Sequence, residues 1–289
     1  MSRKFLGLLI AVLVVAIALS VTGCRQQSSE KDDVTSVTTE RIRVSGSGTS
    51  LPLVRILTDE YSRSNPEVEF VYLPGLHSGG GVRGVAAGDL ELGAVSRQLS
   101  DEEEELGLKY VQLSDDGLVL ATHPSVLIDG ITAEQVREIY RGEHDNWATL
   151  GGDDTPMTIL DRNEDESAKI ILRQYVLGPD LEISTKAVNL FYEPDMVAGL
   201  KSTPGAVGYF SLGFGLSEEI PVHYLNLDGV AATVENITDG TYQMVRPLGV
   251  VAAEPVSPTI DGFLEWAQSE EAMELARESG FAPHLSEGE

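Results

Sequence analysis

A strand, a turn of small polar residues and the start of a helix follow one another in three places along this chain, and this order constrains the fold most. In the first place, Ile42 and Val44 alternate with arginines as in a half-buried strand, and residues 45–50 form the turn. Pro52 then lies where the first turn of a helix tolerates proline. Backbone N–H groups, hydroxyls and the positive end of the helix dipole converge there, which suits an anion. Taken alone, capping and turn chemistry also explain this stretch.

The second unit repeats this order. Residues 68–72 alternate as a strand, and a turn rich in glycine leads into a helical pattern. Three consecutive glycines, 79–81, let the backbone approach a ligand closely. His77 beside Ser78 suggests a base and a nucleophile, but no serine here lies in a G-x-S-x-G motif. We therefore expect this turn to bind a ligand rather than to catalyse a reaction.

The third unit carries charge. A strand at residues 157–160 leads to Arg162, to three acidic residues at 164–166 and to a helix that begins near Ser167. Acidic side chains at a helix N-terminus are good partners of the helix dipole, but they repel an anion if they face it. Arg97, which follows another strand, is either an anion clamp or an ordinary surface arginine.

Residues 1–23 are predicted to be an export signal. Arg3 and Lys4 precede an unbroken run of apolar and small residues, which ends just before Cys24. The residues before Cys24 resemble a bacterial lipobox, in which the cysteine is lipidated and becomes the new first residue. A transmembrane anchor is the alternative, although the run is short for one. Residues 24–40 are mostly polar and are predicted to be a flexible tether.

The composition excludes several classes of partner. The chain has 20 basic and 46 acidic residues and a formal net charge of −26, which argues against nucleic acid and against electrostatic docking to anionic lipid. An anionic ligand stays possible, because local N–H dipoles act at close range. Cys24 is the only cysteine, which excludes internal disulfides and cysteine-built metal sites. We expect no metal, no cofactor and no catalytic residues.

Strands alternate with helices through the rest of the chain, which favours an α/β fold with mostly parallel sheets. The polar turns follow the carboxyl ends of strands, where such sheets bind their ligands. The order of the elements therefore predicts one ligand site at this edge of the sheets.

Several segments, in order, resemble the phosphate-binding proteins of phosphate-specific ABC transporters, which are periplasmic binding proteins of type II. These segments are GSGTSLPL, HSGGGVRGVAAGDLELGAVSRQLSDEE, LIDGITAEQVREIYRGEHDNW, the strand into Arg162, KSTPGAVGYFSLG and PTIDGFLEWAQSEEAMELARESGF. The resemblance covers essentially the whole chain from about Val44. It implies a two-lobed, hinged protein that closes on its solute like a Venus flytrap.

The resemblance also implies the lobe boundaries and the site. Lobe 1 is expected to contain residues 41–119 and 248–289, and lobe 2 residues 120–247. Two hinge strands are expected near residues 117–121 and 245–252. The ligand-binding residues that the resemblance implies are Thr49, Ser50, Leu51, Ser78, Ser96, Arg97, Arg162 and Ser167.

The chain departs from that family just after Arg162. The family usually has Ser-Gly-Thr at the start of the next helix, and this chain has Glu166-Ser167-Ala168. Ser167 can still donate a hydrogen bond, but Glu166 adds a negative charge. The ligand is therefore phosphate, a related oxyanion, a substituted phosphate, or a solute whose cationic group meets Glu166.

We expect an extracytoplasmic, lipid-anchored monomer, on the periplasmic side or the cell surface, that captures phosphate or a similar oxyanion and delivers it to an ABC permease. One alternative is a sensor or scavenger with the same fold and a different small solute. A hydrolase of phosphate esters is the other, but the five histidines are scattered and neither H-E-x-x-H nor a P-loop is present.

Overall fold

The computed structural model describes residues 39–284. The predicted export signal, the lipidation site Cys24 and nearly all of the predicted tether lie outside the described residues. The strands are β1 (Glu40–Gly46), β2 (Val68–Tyr72), β3 (Leu92–Val95), β4 (Leu108–Thr122), β5 (Gly130–Ile131), β6 (Thr158–Arg162), β7 (Val188–Leu190), β8 (Ala206–Ser211), β9 (His223–Tyr224), β10 (Asn226–Leu227), β11 (Val245–Ala253) and β12 (Ala282–Pro283).

Helices connect most of these strands. They are α1 (Leu51–Ser64), α2 (His77–Ala86), α3 (Asp101–Glu104), α4 (Ala133–Arg141), α5 (Ser167–Leu172), α6 (Glu193–Ser202), α7 (Leu212–Ser217), α8 (Val234–Thr238), α9 (Pro258–Ala267) and α10 (Glu270–Glu278), with a 3₁₀ turn at Trp147–Leu150 and a π-helical turn at Arg173–Leu177. Within residues 39–284, none of the helices has the length and apolar character needed to span a membrane.

The strands form one mixed sheet in the order β2-β1-β3-β11-β4-β8-β6-β7, with β12 and β9 also paired to β4 and with β5 and β10 forming a separate pair. The outer strands run parallel: β1 with β2 and β3, and β6 with β7 and β8. Every antiparallel pair involves β4 or β11. The prediction of parallel sheets therefore applies to the outer strands, and the two central strands make the sheet mixed.

The chain crosses the middle of the sheet along β4 and returns along β11. The first part of β4 pairs with β11 as far as Gly117, which faces Val245, and the next residue, Leu118, pairs with Ser211 of β8. The sequence pattern at residues 110–113 and 117–121 predicts two separate strands, and this prediction is wrong, because one strand of 15 residues spans both. The polar residues between them lie inside the strand, where Asp116 is buried.

The two larger of the three hydrophobic cores in residues 39–284 lie on either side of this crossing. The first core is built from residues 42–113 and 248–281 and includes Leu57 and Phe263. The second core is built mainly from residues 118–244 and includes Trp147 and Phe210. The first core draws on two stretches that are far apart in sequence, and the second core draws on the stretch between them, because the chain crosses the sheet twice. The lobe boundaries proposed from the sequence stay a prediction.

Local sequence signals set several helix ends. A serine or threonine followed three residues later by Glu or Gln predicts a capping box at Ser100–Glu103 and at Thr132–Gln135. Both capping boxes form, at the starts of α3 and α4. The spacing of apolar residues over 258–279 predicts one C-terminal helix. The structure has two helices there, because the chain breaks at residues 268–269 and Ser269 caps α10.

Gly46, the last residue of β1, has a conformation that favours glycine. Its φ is +139°, and a Cβ placed there lies 2.1 Å from the carbonyl oxygen of Ala94. The turn after β1 passes this close to β3 because Ser47 N donates to the same carbonyl at 2.8 Å. Gly46 therefore lets the polar turn fold back over the end of the neighbouring strand.

We predict that Gly46→Ala lowers the free energy of unfolding by more than about 1 kcal/mol, since alanine disfavours a positive φ and meets the backbone of β3. Urea unfolding followed by circular dichroism measures this. Gly48→Ala is the matched control in the same turn, because no atom lies within 4 Å of its added Cβ. Equal stability of the two variants contradicts the prediction.

Candidate functional site

The carboxyl ends of β1, β3 and β6 and the starts of the following helices enclose a cavity of about 930 Å³. The predicted ligand-binding residues that line this cavity are Thr49, Leu51, Ser78, Ser96, Arg97, Arg162 and Ser167. The cavity lies where the sequence places the three polar turns, and residues from both sides of the crossing strands contribute to its wall.

Four serine hydroxyls from separate turns meet at the base of this cavity. Ser96 Oγ lies 2.9 Å from Ser47 Oγ, 2.9 Å from Ser167 Oγ and 3.3 Å from Ser78 Oγ. The backbone N–H of Ser96 also donates to Ser78 Oγ at 3.1 Å. Because hydroxyls rotate and can donate or accept, such a cluster can turn several donors toward an anion.

Ser50 and Leu51 have internal partners. Ser50 is fully buried, is not among the residues that line the cavity, and donates its hydroxyl to the carbonyl of Val95. The backbone N–H groups of Ser50 and Leu51 both donate to the carbonyl of Ser47, at 3.1 and 3.0 Å. Ser50 therefore holds the turn together. Ser47, which the sequence did not single out, presents its hydroxyl to the cavity instead.

Arg162 is the buried cation of the third turn. Arg162 is 3% exposed. Its Nη2 donates to Glu166 Oε2 at 2.7 Å and to the carbonyl of Phe191 at 3.1 Å. Its Nε and Nη1 have no hydrogen-bond partner among the described residues. Since buried guanidinium nitrogens normally have acceptors, these two donors are available to an anion.

Arg97 lines the cavity, but its guanidinium is already paired. Its Nη1 and Nη2 donate to the two carboxylate oxygens of Glu103, at 2.6 and 2.8 Å. This bidentate pair, together with the capping hydrogen bond from Ser100 N, lowers the pKa of Glu103 to about 2. Arg97 can therefore act as the predicted anion clamp only if the anion and Glu103 share its guanidinium.

A second buried arginine, Arg246, was missed by sequence reasoning. It lies on β11, is 1% exposed, and donates from Nε and Nη2 to Asp116 Oδ2 at 3.1 Å each. Its Nη1 donates to Ser167 Oγ at 3.0 Å. Burial raises the pKa of Asp116, and Arg246 acts in the opposite direction. A charged residue directly before the apolar stretch 247–252 was the available signal.

Glu193, the first residue of α6, was also missed. Its carboxylate is 3% exposed, accepts a hydrogen bond from the Thr49 hydroxyl, and accepts another from Ser211 N at 2.6 Å. Arg246 Nη2 lies 3.6 Å from its Oε1. The Thr49 hydroxyl, which the family resemblance assigns to ligand binding, is therefore bonded to a carboxylate on the other side of the crossing strands.

Glu166 brings a second carboxylate into the same site. Its Oε1 lies 2.8 Å from His77 Nδ1, and His77 also stacks on Tyr192 with 5.5 Å between ring centroids and 7° between planes. Burial raises the pKa of Glu166, while Arg162 and His77 act in the opposite direction. The acidic turn therefore faces the cavity. The sequence alone left open whether it faces the ligand or water.

His77 and Ser78, which the sequence suggests as a base and a nucleophile, each have another partner. His77 pairs with Glu166, and Ser78 pairs with Ser96, so these neighbours do not form a base–nucleophile pair. Across residues 39–284, no group of three or more His, Cys, Asp or Glu side chains is placed to hold a metal ion. Buried arginines and converging hydroxyls instead suit a small oxyanion.

A family model described as a PBP superfamily domain matches residues 33–271. Two similar curated proteins are named phosphate-binding protein PstS. The one from Borreliella burgdorferi is 22% identical over 281 residues, which cover 94% of this chain and 97% of that protein. The one from Bacillus subtilis is 22% identical over 284 residues, which cover 96% and 92%.

A solved structure is also similar. It is a putative phosphate ABC transporter substrate-binding protein with bound phosphate from Clostridium perfringens, with a TM-score of 0.76 and 24% identity. The match covers 85% of this chain and all of that one. At this identity the likeness shows that the two chains share a fold.

We predict that the buried Asp116–Arg246 pair stabilises the protein only as a pair. Arg246→Met leaves an unpaired buried carboxylate and is expected to cost about 3–5 kcal/mol of unfolding free energy. The double variant Asp116→Asn/Arg246→Met is expected to cost less than the sum of the two single variants. Urea unfolding of all four proteins measures the coupling, and strictly additive costs contradict it.

Proposed function

The chain belongs to the PBP superfamily, and from this membership we propose that it captures phosphate or a related oxyanion between two lobes and delivers it to an ABC transporter. It has the two-lobed periplasmic-binding-protein fold. The relatives described above carry the names of phosphate-binding or phosphate-transport proteins. No bond in the ligand has to be made or broken for this function.

The observation that carries the proposal is Arg162. It is a buried arginine with two donor nitrogens that have no partner among the described residues, and it lines the cavity in which four serine hydroxyls meet. A tetrahedral oxyanion has enough acceptor oxygens for both sets of donors. Charge-assisted hydrogen bonds of this kind are about twice as strong as neutral ones.

The mechanism follows from the path of the chain. The serines at positions 47, 78 and 96 stand on one side of the crossing strands, and Arg162 and Ser167 stand on the other. An anion held by both sets favours the arrangement in which the two sides are close together. We propose that β4 and β11 act as hinge strands, and that the closed form is the one that docks on the permease.

We predict that phosphate raises the melting temperature of the soluble protein, and that Arg162→Met removes most of this shift. A ligand at 100 times its dissociation constant adds about 2.7 kcal/mol of stability, and loss of a charged hydrogen bond costs about 1.5–3 kcal/mol. Thermal unfolding with phosphate, arsenate, sulfate and a panel of amino acids measures both effects.

Arg277→Met is the control for that experiment, because Arg277 is an exposed arginine on α10 that pairs with Glu274 and does not line the cavity. It is expected to keep the full shift. Stabilisation by a cationic or zwitterionic solute alone, and by none of the oxyanions, rules out the oxyanion proposal.

We also propose that the protein acts outside the cytoplasm as a monomer anchored through lipid on Cys24, as the sequence predicts. A single chain supplies every side chain of the proposed site. We expect the full-length protein to partition with membranes and Cys24→Ser to move it to the soluble fraction. Light scattering of a form that starts after Cys24 is expected to give the mass of one chain. An unmodified Cys24 in the membrane fraction contradicts the anchor.

A further inference from the structure

The cavity that Arg162 lines is larger than an inorganic anion needs. Its volume of about 930 Å³ lies near the upper end of the range of about 300–1,000 Å³ that is usual for sites that bury drug-sized ligands. The two sides of the crossing already touch within it, since the Thr49 hydroxyl donates to Glu193 and Ser96 Oγ lies 2.9 Å from Ser167 Oγ. The cavity keeps its volume with these contacts formed, so there is room for a ligand with a second group besides the oxyanion.

Polar groups lie at the base of the cavity, and apolar groups lie nearer to solvent. Arg162 is 3% exposed, and its Nε and Nη1 have no partner among the described residues. Tyr192 and Ile170 also line the cavity, but they are 51% and 46% exposed. We call these two side chains the mouth. Because half-exposed apolar side chains gain from being covered, the mouth favours an apolar part of a ligand.

Each side chain of the mouth adjoins a polar group of the base. Ile170 follows Ser167 by three residues in α5, which places the two side chains on the same side of that helix. Tyr192 follows Phe191, whose carbonyl accepts from Arg162 Nη2 at 3.1 Å. A substituent on an anion that is held at the base therefore reaches the mouth without a long linker.

Packing between the two sides of the crossing does not cover Tyr192. Its ring already stacks on His77 from α2, with 5.5 Å between the ring centroids and 7° between the planes. The contact across the crossing is thus formed, and Tyr192 is still 51% exposed. The remaining surface of the ring is free to contact a ligand.

We propose that the ligand is a phosphoryl oxyanion with one apolar organic substituent, either a phosphonate or a phosphate monoester. This inference rests on the proposed function and names the substrate class of the same site. The anionic oxygens bind Arg162 and the serines at the base, and the substituent lies against Tyr192 and Ile170 at the mouth. Both kinds of compound keep three oxygens on phosphorus that can accept from the guanidinium and the hydroxyls.

The test measures the dissociation constants of phenylphosphonate, methylphosphonate and inorganic phosphate by calorimetric titration of the soluble protein. The two phosphonates share the same oxyanion and differ in the apolar area of the substituent. Because apolar area removed from water favours binding, we expect the wild type to bind phenylphosphonate at least about tenfold more tightly than methylphosphonate. We also expect it to bind phenylphosphonate more tightly than phosphate.

Tyr192→Ala and Ile170→Ala are each expected to lower the preference for phenylphosphonate over methylphosphonate by at least about fivefold. The Tyr192 side chain makes no capping hydrogen bond at the start of α6, so the alanine variant keeps that helix start. Loss of its stacking on His77 changes closure on both phosphonates alike and cancels in the ratio. Ionisation of each ligand cancels in the same way, since every protein is titrated with the same compounds at one pH.

The matched control is Tyr175→Ala. Tyr175 is a tyrosine of similar exposure, 40%, on the same side of the crossing strands, but it does not line the cavity. This variant is expected to keep the wild-type preference for phenylphosphonate. Circular dichroism of all three variants checks that they are folded.

Tighter binding of phosphate than of phenylphosphonate by the wild type overturns the inference and leaves the proposed function intact. A ratio of the two phosphonate affinities that is unchanged in both Tyr192→Ala and Ile170→Ala, or that falls equally in Tyr175→Ala, also overturns it. Failure of the wild type to bind any of the three anions overturns the proposed function itself, and the inference with it.

Discussion

The buried pair of Asp116 and Arg246 joins the parts of this structure that matter for ligand binding. The two residues face each other across β4 and β11, the strands along which the chain crosses the sheet. Their charges are compensated by each other and by hydrogen bonds from Ser211 and Gly213 N to Asp116. Arg246 also donates to Ser167. One ion pair therefore fixes both the crossing and a wall of the site.

The electrostatics of the site are local. Arg97 is paired with Glu103, Arg162 with Glu166, and Arg246 with Asp116. A protein with a net charge of −26 creates a long-range field that opposes the approach of an anion, and salt screens that field within about 10 Å at 0.1 M. Inside the cavity the outcome is decided by which carboxylates give up their arginines. Of these carboxylates, Asp116 is fully buried, whereas Glu103 and Glu166 are partly exposed.

Much of the fold could be predicted because its signals are local. Alternating strands, the capping boxes at Ser100 and Thr132 and the three polar turns all depend on residues close in sequence. The continuous β4 could not be predicted in the same way, since a charged residue such as Asp116 indicates the end of a strand unless its ion-pair partner is known. That partner lies 130 residues away, on a strand whose register the sequence does not reveal.

The same limit applies to the site. The serines and Arg162 follow strand ends and could be assigned from the order of turns and helices. Glu193 begins a helix, where an acidic residue is ordinary, and only the fold shows that it accepts the Thr49 hydroxyl. Whether the acids of the third turn faced water or the cavity also depends on how the helix starts pack.

Side chains from both sides of the crossing contact one another directly in this structure, and this bears on how a ligand can drive closure. Thr49 bonds to Glu193, Ser96 to Ser167, and His77 pairs with Glu166. A ligand shifts an equilibrium between open and closed forms only by the difference in its interactions with the two. An anion that displaces these contacts gains less from closure than one that adds to them. In this protein, Glu166 and Glu193 already join the two sides through His77 and Thr49, so an anion that displaces these contacts loses part of what closure gains.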